Sequence, residues 1–156
     1  MVRVDLTSAE VMSAAQLGVM RHTHALFKGS REAAGMPNDG WGAHIEGAAG
    51  EIAVSKYLGV YPGFTLNTYK APDVSGMDVR VRSEMWHDMK ILPSDEDERV
   101  FIMVVGRSPV FHVVGWIRGR DGKKAEYFKD LPNGRGKAYW VPKADLQPIN
   151  TLPRVA

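Results

Sequence analysis

The stretch Ala71-Pro72-Asp73-Val74-Ser75-Gly76-Met77-Asp78-Val79-Arg80-Val81-Arg82 sets two aspartates on either side of a Ser-Gly turn. From Met77 onward the residues alternate, which predicts a strand with Met77, Val79 and Val81 on one face and Asp78, Arg80 and Arg82 on the other. At about 3.3 Å per residue, Asp78 and Arg80 lie roughly 6.6 Å apart on the same face. A third carboxylate, Glu51, falls in the segment Trp41-Gly-Ala-His-Ile-Glu-Gly-Ala-Ala-Gly-Glu-Ile-Ala-Val-Ser-Lys-Tyr-Leu-Gly59, where helical spacing aligns it with Gly47, Val54 and Leu58. An acid on such an apolar stripe costs several kcal/mol to bury unless a cation, a donor or a metal meets it. Pairing with an arginine of the sheet, or displacement to the helix edge, would meet that cost without any chemistry. A divalent ion shared by Glu51, Asp73 and Asp78 would meet it too: it would lower the pKa of a bound water and neutralise charge developing at a phosphate, with Arg80 stabilising that charge. The chain has no cysteine, so a metal would be held by oxygen or histidine ligands, which favours Mg2+ or Mn2+.

Pro72-Asp73 followed by Asp78-Val79-Arg80 resembles the PD-(D/E)-x-K signature of the restriction-endonuclease-like nuclease superfamily, and the glycine-rich helix bearing Glu51 resembles the helix that supplies its upstream acid. The motifs cover residues 41 to 92, with later strands agreeing in architecture only. The resemblance implies a restriction-endonuclease-like core, metal-dependent hydrolysis of DNA phosphodiesters, Glu51, Asp73 and Asp78 as metal carboxylates, and a small phage-encoded protein acting in the cytoplasm of its bacterial host. Arg80 stands where the family has lysine, and arginine can orient a water or stabilise an oxyanion but cannot act as a base. The acids are also closer together than the family's usual spacing. A second register is a literal D-x-K, Asp88-Met89-Lys90, with acid and lysine again on one face. The Asp78 strand alternates more cleanly, and Lys90 stands beside it as a second catalytic candidate. A solvated, salt-bridged hairpin face gives the same alternation without function.

The elements that would position these groups follow from capping and period. Thr7-Ser8-Ala9-Glu10 is a capping-box sequence, predicting a helix to about Phe27, and a second helix should run from Trp41 to Leu58 with Gly59 as its C-cap. Gly47-Ala48-Ala49-Gly50 inside it implies close backbone approach, since each glycine costs roughly 1 kcal/mol against alanine in a helix. Ser30 to Gly40 reads as a loop. Strands are expected at Thr65–Lys70, Met77–Arg82, Asp88–Leu92, Val100–Val105 (apolar throughout, hence central), Phe111–Arg118, Lys124–Phe128 after a hairpin turn at Asp121-Gly122, and Lys137–Val141 after a turn at Asn133-Gly134, with a helical turn at Pro142–Leu146. Helices followed by a run of strands indicate one α+β domain over residues 1–156, its helices packed on a mixed sheet.

Residues 1–98 hold 9 Lys/Arg and 14 Asp/Glu, whereas residues 99–156 hold 11 and 4. A basic half beside an acid-bearing middle suits a nucleic-acid partner, DNA above all, or else a solvated face. Arg118, Arg120, Lys123 and Lys124 around a hairpin tip, Arg135 and Lys137 after the next turn, and Arg82 on the acid-bearing strand are the expected phosphate contacts. Tyr127, Phe128, Tyr139 and Trp140 are interleaved with them. Trp116 and Trp140 read as packing residues, and His44, two turns before Glu51, is a helix-surface residue within reach of the site; His22 and His24 point to different faces. A homodimer would suit cleavage of two strands. There is no apolar run long enough to span a membrane and no signal-peptide pattern. Two rivals to the nuclease keep parts of this picture: a catalytically inactive phage accessory protein of nuclease fold that binds nucleic acid or a host protein, and a β-rich interaction domain in which the three acids are scattered.

Overall fold

A computed structural model describes residues 1–28, 40–64, 71–131 and 136–153, and within them the chain is α+β. Helix α1 (Ser8–Phe27) begins with the capping box closed in both directions: Thr7 Oγ1 accepts from the Glu10 amide at 3.3 Å, and Glu10 accepts from the Thr7 amide at 2.6 Å. Helix α2 (Gly40–Leu58) ends at Gly59, whose φ of 69° is the left-handed conformation a C-terminal cap requires.

The larger sheet has the order β1 (Val2–Asp5), β5 (Val110–Arg118), β4 (Val100–Arg107), β2 (Asp78–Arg82), with the short β8 (Gln147–Pro148) also paired to β5. It is mixed: β2 runs parallel to β4, while β4–β5 and β1–β5 are antiparallel. A smaller antiparallel sheet holds β3 (Met89–Ile91), β7 (Gly136–Val141) and β6 (Phe128–Leu131). The apolar run in β4 is buried on both faces because the larger sheet lies between two cores. Ile102 and Val104 join Val79, Ala49 and Val54 under the helices, and Phe101, Met103 and Val105 join Met89, Ile91 and Val141 of the smaller sheet. The alternation in β2 therefore acquires a direction. Val79 and Val81 face α2, and Asp78, Arg80 and Arg82 face the smaller sheet.

Three expectations need correction. The described strands form two sheets, since β3 pairs with β7 and does not extend the β2 sheet. Asp121-Gly122 is no hairpin turn: Gly119–Gly122 forms a helical turn, α3, followed by a 3-10 turn at Ala125–Tyr127, and the strand begins only at Phe128. Those glycines serve close packing, since a methyl at Gly119 would overlap the Glu96 carbonyl oxygen and one at Gly122 would overlap Ile91. Strands β1 and β8 were not expected. The expected strand at Thr65–Lys70 and turn at Asn133-Gly134 lie outside the described residues, as does the expected loop before Gly40. Among the described residues, no helix is long and apolar enough to cross a membrane.

The glycines of the helices act in opposite ways. A methyl at Gly18 would overlap the Ile45 backbone, and one at Gly50 would overlap a Val81 methyl, so these two positions let α1, α2 and β2 close on one another. At Gly47 a methyl would touch no described atom. Gly18→Ala should therefore lose about 2 kcal/mol net, as overpacking against backbone outweighs roughly 1 kcal/mol of helix propensity. Gly47→Ala should gain about 1 kcal/mol. Urea unfolding of the two variants checks the sign of each.

Candidate functional site

The Ser75-Gly76 turn has positive φ at both central residues, 47° and 81°, and is closed by the Val74 amide donating to Met77 O at 3.0 Å and the Met77 amide to Val74 O at 2.8 Å. This is a two-residue type I′ hairpin. It folds Asp73 back along β2, where its Oδ2 accepts from the Val79 amide at 2.8 Å. Among the described residues, strand β2 is the edge of its sheet, with β4 on one side. Asp73 thus sits on the side of β2 away from β4, between the helix-facing and the opposite faces of the strand.

The other acids lie on either side of it. Glu51, on α2, is gripped by Arg21 of α1 through two bonds, Nη1 to Oε1 at 2.6 Å and Nη2 to Oε2 at 2.8 Å, with the side chains only 16% and 15% exposed. The arginine that meets Glu51 thus comes from the neighbouring helix and not from the sheet. On the other face, Asp78 accepts from Arg99 Nη1 at 3.1 Å and has Arg80 Nη2 at 3.8 Å. Arg80 also donates to Asp95 at 2.9 Å and lies 4.8 Å from the centre of the Phe101 ring. Asp95 is held in turn by the Leu92 amide at 2.8 Å.

The electrostatics follow this row. Burial holds the Asp73 carboxyl above the usual aspartate range, the Glu51 charge adds to the rise, and the Val79 amide, Arg80 and Arg21 oppose it. Burial likewise raises Asp78, with Asp73 and Asp95 adding and Arg80 and Arg99 opposing. Burial works against the charge on Arg21, but the bonds to Glu51 and the negative charges of Glu51 and Asp73 together outweigh it and the guanidinium is raised. Asp73 therefore feels Glu51 on one side, and Asp78 feels Asp73 on the other. Among the described residues, no three acidic or histidine side chains stand close enough to share one ion as they are placed.

Asp88-Met89-Lys90 falls in and beside β3, in the smaller sheet. Lys90 pairs across the ladder with Trp140, its ammonium 5.7 Å from that ring's centre, and Arg82 lies 5.4 Å from the same ring. The residues of the expected basic track around α3 are engaged within the fold. Arg118 and Arg120 bond Glu98, and Lys123 bonds Asp97 at 2.7 Å and the carbonyls of Pro93 and Asp95. These three cations fasten the acidic turn that precedes β4, so much of the charge asymmetry along the sequence is met within the fold. Lys124 stands over Tyr127, Lys137 is exposed on β7 opposite Asp130, and Arg135 lies outside the described residues. His44 turns its ring toward the buried His22, centres 5.1 Å apart, and His22 meets Trp41 at 4.3 Å.

Sequence reasoning missed Arg21, Asp95 and Arg99. Arg21 had a signal: it falls on the same stripe as Ala14, Leu17, Gly18 and Ala25, the buried face of α1, so a cation on one apolar helix stripe answers an acid on another. Asp95 and Arg99 lie in and after an irregular acidic turn, where no periodicity assigns a direction. No family model matches the chain, and neither a curated protein nor a solved structure matches it.

Proposed function

We propose that the chain is a metal-dependent nuclease acting on DNA phosphodiesters, on a restriction-endonuclease-like core, with Asp73 and Asp78 as the principal carboxylates for Mg2+ or Mn2+. The observation that carries this reading is the hairpin that folds Asp73 back along the strand bearing Asp78, near enough for its charge to act on Asp78, with both part-buried acids raised by burial and by neighbouring negative charge. Structural acids are ordinarily placed where their charge is favoured; acids held where it is disfavoured are a mark of functional sites. Magnesium retains several waters and is commonly held through one or two carboxylates with substrate phosphates, so a pair of acids fits it better than a closed cage. When bound, the ion supplies a water of lowered pKa and neutralises charge at phosphorus. Glu51, its oxygens engaged by Arg21, stands behind the pair. In this reading Arg80 stabilises charge on a phosphate oxygen, and, being permanently charged, it takes no proton.

A second reading has its own observation. Arg21, Arg80 and Arg99 already meet Glu51, Asp78 and Asp95, which is the arrangement of an inactive nuclease-like scaffold that binds nucleic acid or a host protein. Incubation of the purified chain with supercoiled, linear duplex and single-stranded DNA separates the two. Cleavage in Mg2+ or Mn2+ and none in EDTA is the expected result; no cleavage of any form, with no Mn2+ heat in calorimetry, overturns the nuclease reading.

A further inference from the structure

Beyond Arg82 the chain leaves β2 through Ser83 and a turn that presents one tryptophan to solvent. Trp86 is 76% exposed. Met85 beside it is 41% exposed, and two exposed apolar side chains need no explanation in themselves, but Trp86 is held by a built turn. The His87 amide donates to Glu84 O at 3.1 Å, the Glu84 amide donates back to His87 Nδ1 at 3.3 Å, and Lys143 Nζ donates to the carbonyls of Met85 and His87. The indole rests against the His87 imidazole, ring centres 4.0 Å apart. The turn thus holds a flat aromatic surface outward with its backbone fixed from both sides.

Cations outnumber acids about it: Arg82, four residues before Trp86, and Lys90, four after it, flank the Trp140 ring, and Lys143 holds the turn, against Glu84 and Asp88. Arg107, 66% exposed, bridges to Glu84 at the base of the same turn. An aromatic surface beside arginine and lysine is the arrangement that holds a nucleic-acid strand, with phosphates on the cations and a base on the ring; an apolar protein partner would be met by a contiguous apolar patch. In a duplex the flat faces of the bases are already stacked, so a platform of this kind serves an unpaired base.

We infer that the Trp86–His87 turn is a stacking platform for an unpaired base, and that with Arg82 and Lys90 it makes single-stranded or frayed DNA the preferred form of nucleic acid. The inference rests on the nuclease reading only in placing the cleaved bond near Asp73 and Asp78; the binding itself does not need cleavage.

The test is fluorescence anisotropy in EDTA with a labelled 20-mer oligo-dT and a blunt duplex of about equal length. The wild type should bind the single strand more tightly than the duplex, with quenching of tryptophan fluorescence. Trp86→Ala should weaken single-strand binding about 5- to 150-fold, the equivalent of about 1–3 kcal/mol of stacking, while Trp86→Phe retains most of it. Since Trp86 is exposed, both variants should melt with the wild type. Equal affinity for the two DNA forms, or unchanged affinity in Trp86→Ala, overturns the inference. So does a change in sedimentation on Trp86→Ala with oligonucleotide affinity intact, which would make the turn a protein contact. Trp86-dependent binding without any cleavage would sustain the platform and remove the nuclease; cleavage without Trp86 dependence would do the reverse.

Discussion

Arg21→Met should destabilise the fold at neutral pH by up to about 3 kcal/mol, the lower end of the cost of removing one partner from a fully buried ion pair, since this pair is part-buried. Methionine keeps most of the side chain's volume but leaves Glu51, 15% exposed, without the two bonds that now engage both its oxygens. Glu51 would then face Asp73, whose carboxyl already feels its charge, and Asp73 would lose the opposing influence of Arg21. The double variant Arg21→Met/Glu51→Gln should recover much of the loss, because removing both charges leaves no buried ion unmet. Chemical unfolding of the wild type, both single variants and the double variant measures the coupling. Manganese adds a second readout. If the acids hold a metal, millimolar Mn2+ should raise the melting temperature of Arg21→Met more than that of the wild type, since the ion replaces the missing cation beside Glu51 and Asp73. An unresponsive Arg21→Met would favour the inactive scaffold, and an unchanged unfolding curve would refute the account of the pair altogether.

The parts of this arrangement that were legible are those written in local rules. Thr7 and Glu10 announced the start of α1, Gly59 the end of α2, and the Ser75-Gly76 pair the turn that folds Asp73 onto β2. The alternation from Met77 to Arg82 correctly separated Val79 and Val81 from Asp78, Arg80 and Arg82, but could not say that both faces of the larger sheet would be covered. That depends on β3 choosing β7, a pairing between residues some fifty positions apart for which no local pattern speaks. The same gap explains the cations. Arg118, Arg120 and Lys123 look like a free basic cluster in one dimension, and only the approach of the 93–98 turn shows that they hold it in place. Exposure is equally a three-dimensional property, which is why Trp86, one aromatic in an ordinary loop sequence, drew no notice. Gly50 was rightly read as a point of close approach, whereas Gly47, spaced identically on paper, touches nothing described.

Asp73→Asn is the second large effect, and its two consequences have opposite signs. If the nuclease reading holds, cleavage should fall by more than the roughly 10–100-fold that loss of a metal ligand's own hydrogen-bond partner costs. Stability at neutral pH should rise. The asparagine Oδ1 can still accept from the Val79 amide, 2.8 Å from the present Oδ2, so the turn keeps its clamp, while the charge held against burial and against Glu51 disappears. The pH dependence follows from the direction of the shift. A folded carboxyl raised above its unfolded value binds its proton more tightly in the folded state, so the favourable contribution of Asp73 is complete below about pH 3.9 and is lost as pH rises through the folded value. The variant should therefore match the wild type near pH 3. Its advantage should open as pH climbs through the folded Asp73 value and level off at neutral pH, at about 1.4 kcal/mol for each pH unit by which the folded carboxyl is raised. Arg80 and Arg21, which face Asp73 and oppose the rise, limit that plateau. Urea unfolding from pH 3 to pH 8 measures the curve. A variant less stable than the wild type at neutral pH would mean that the Asp73 charge fastens the hairpin to the strand edge. The acid would then be a structural clamp, and the case for a metal at this edge would lose its central ligand.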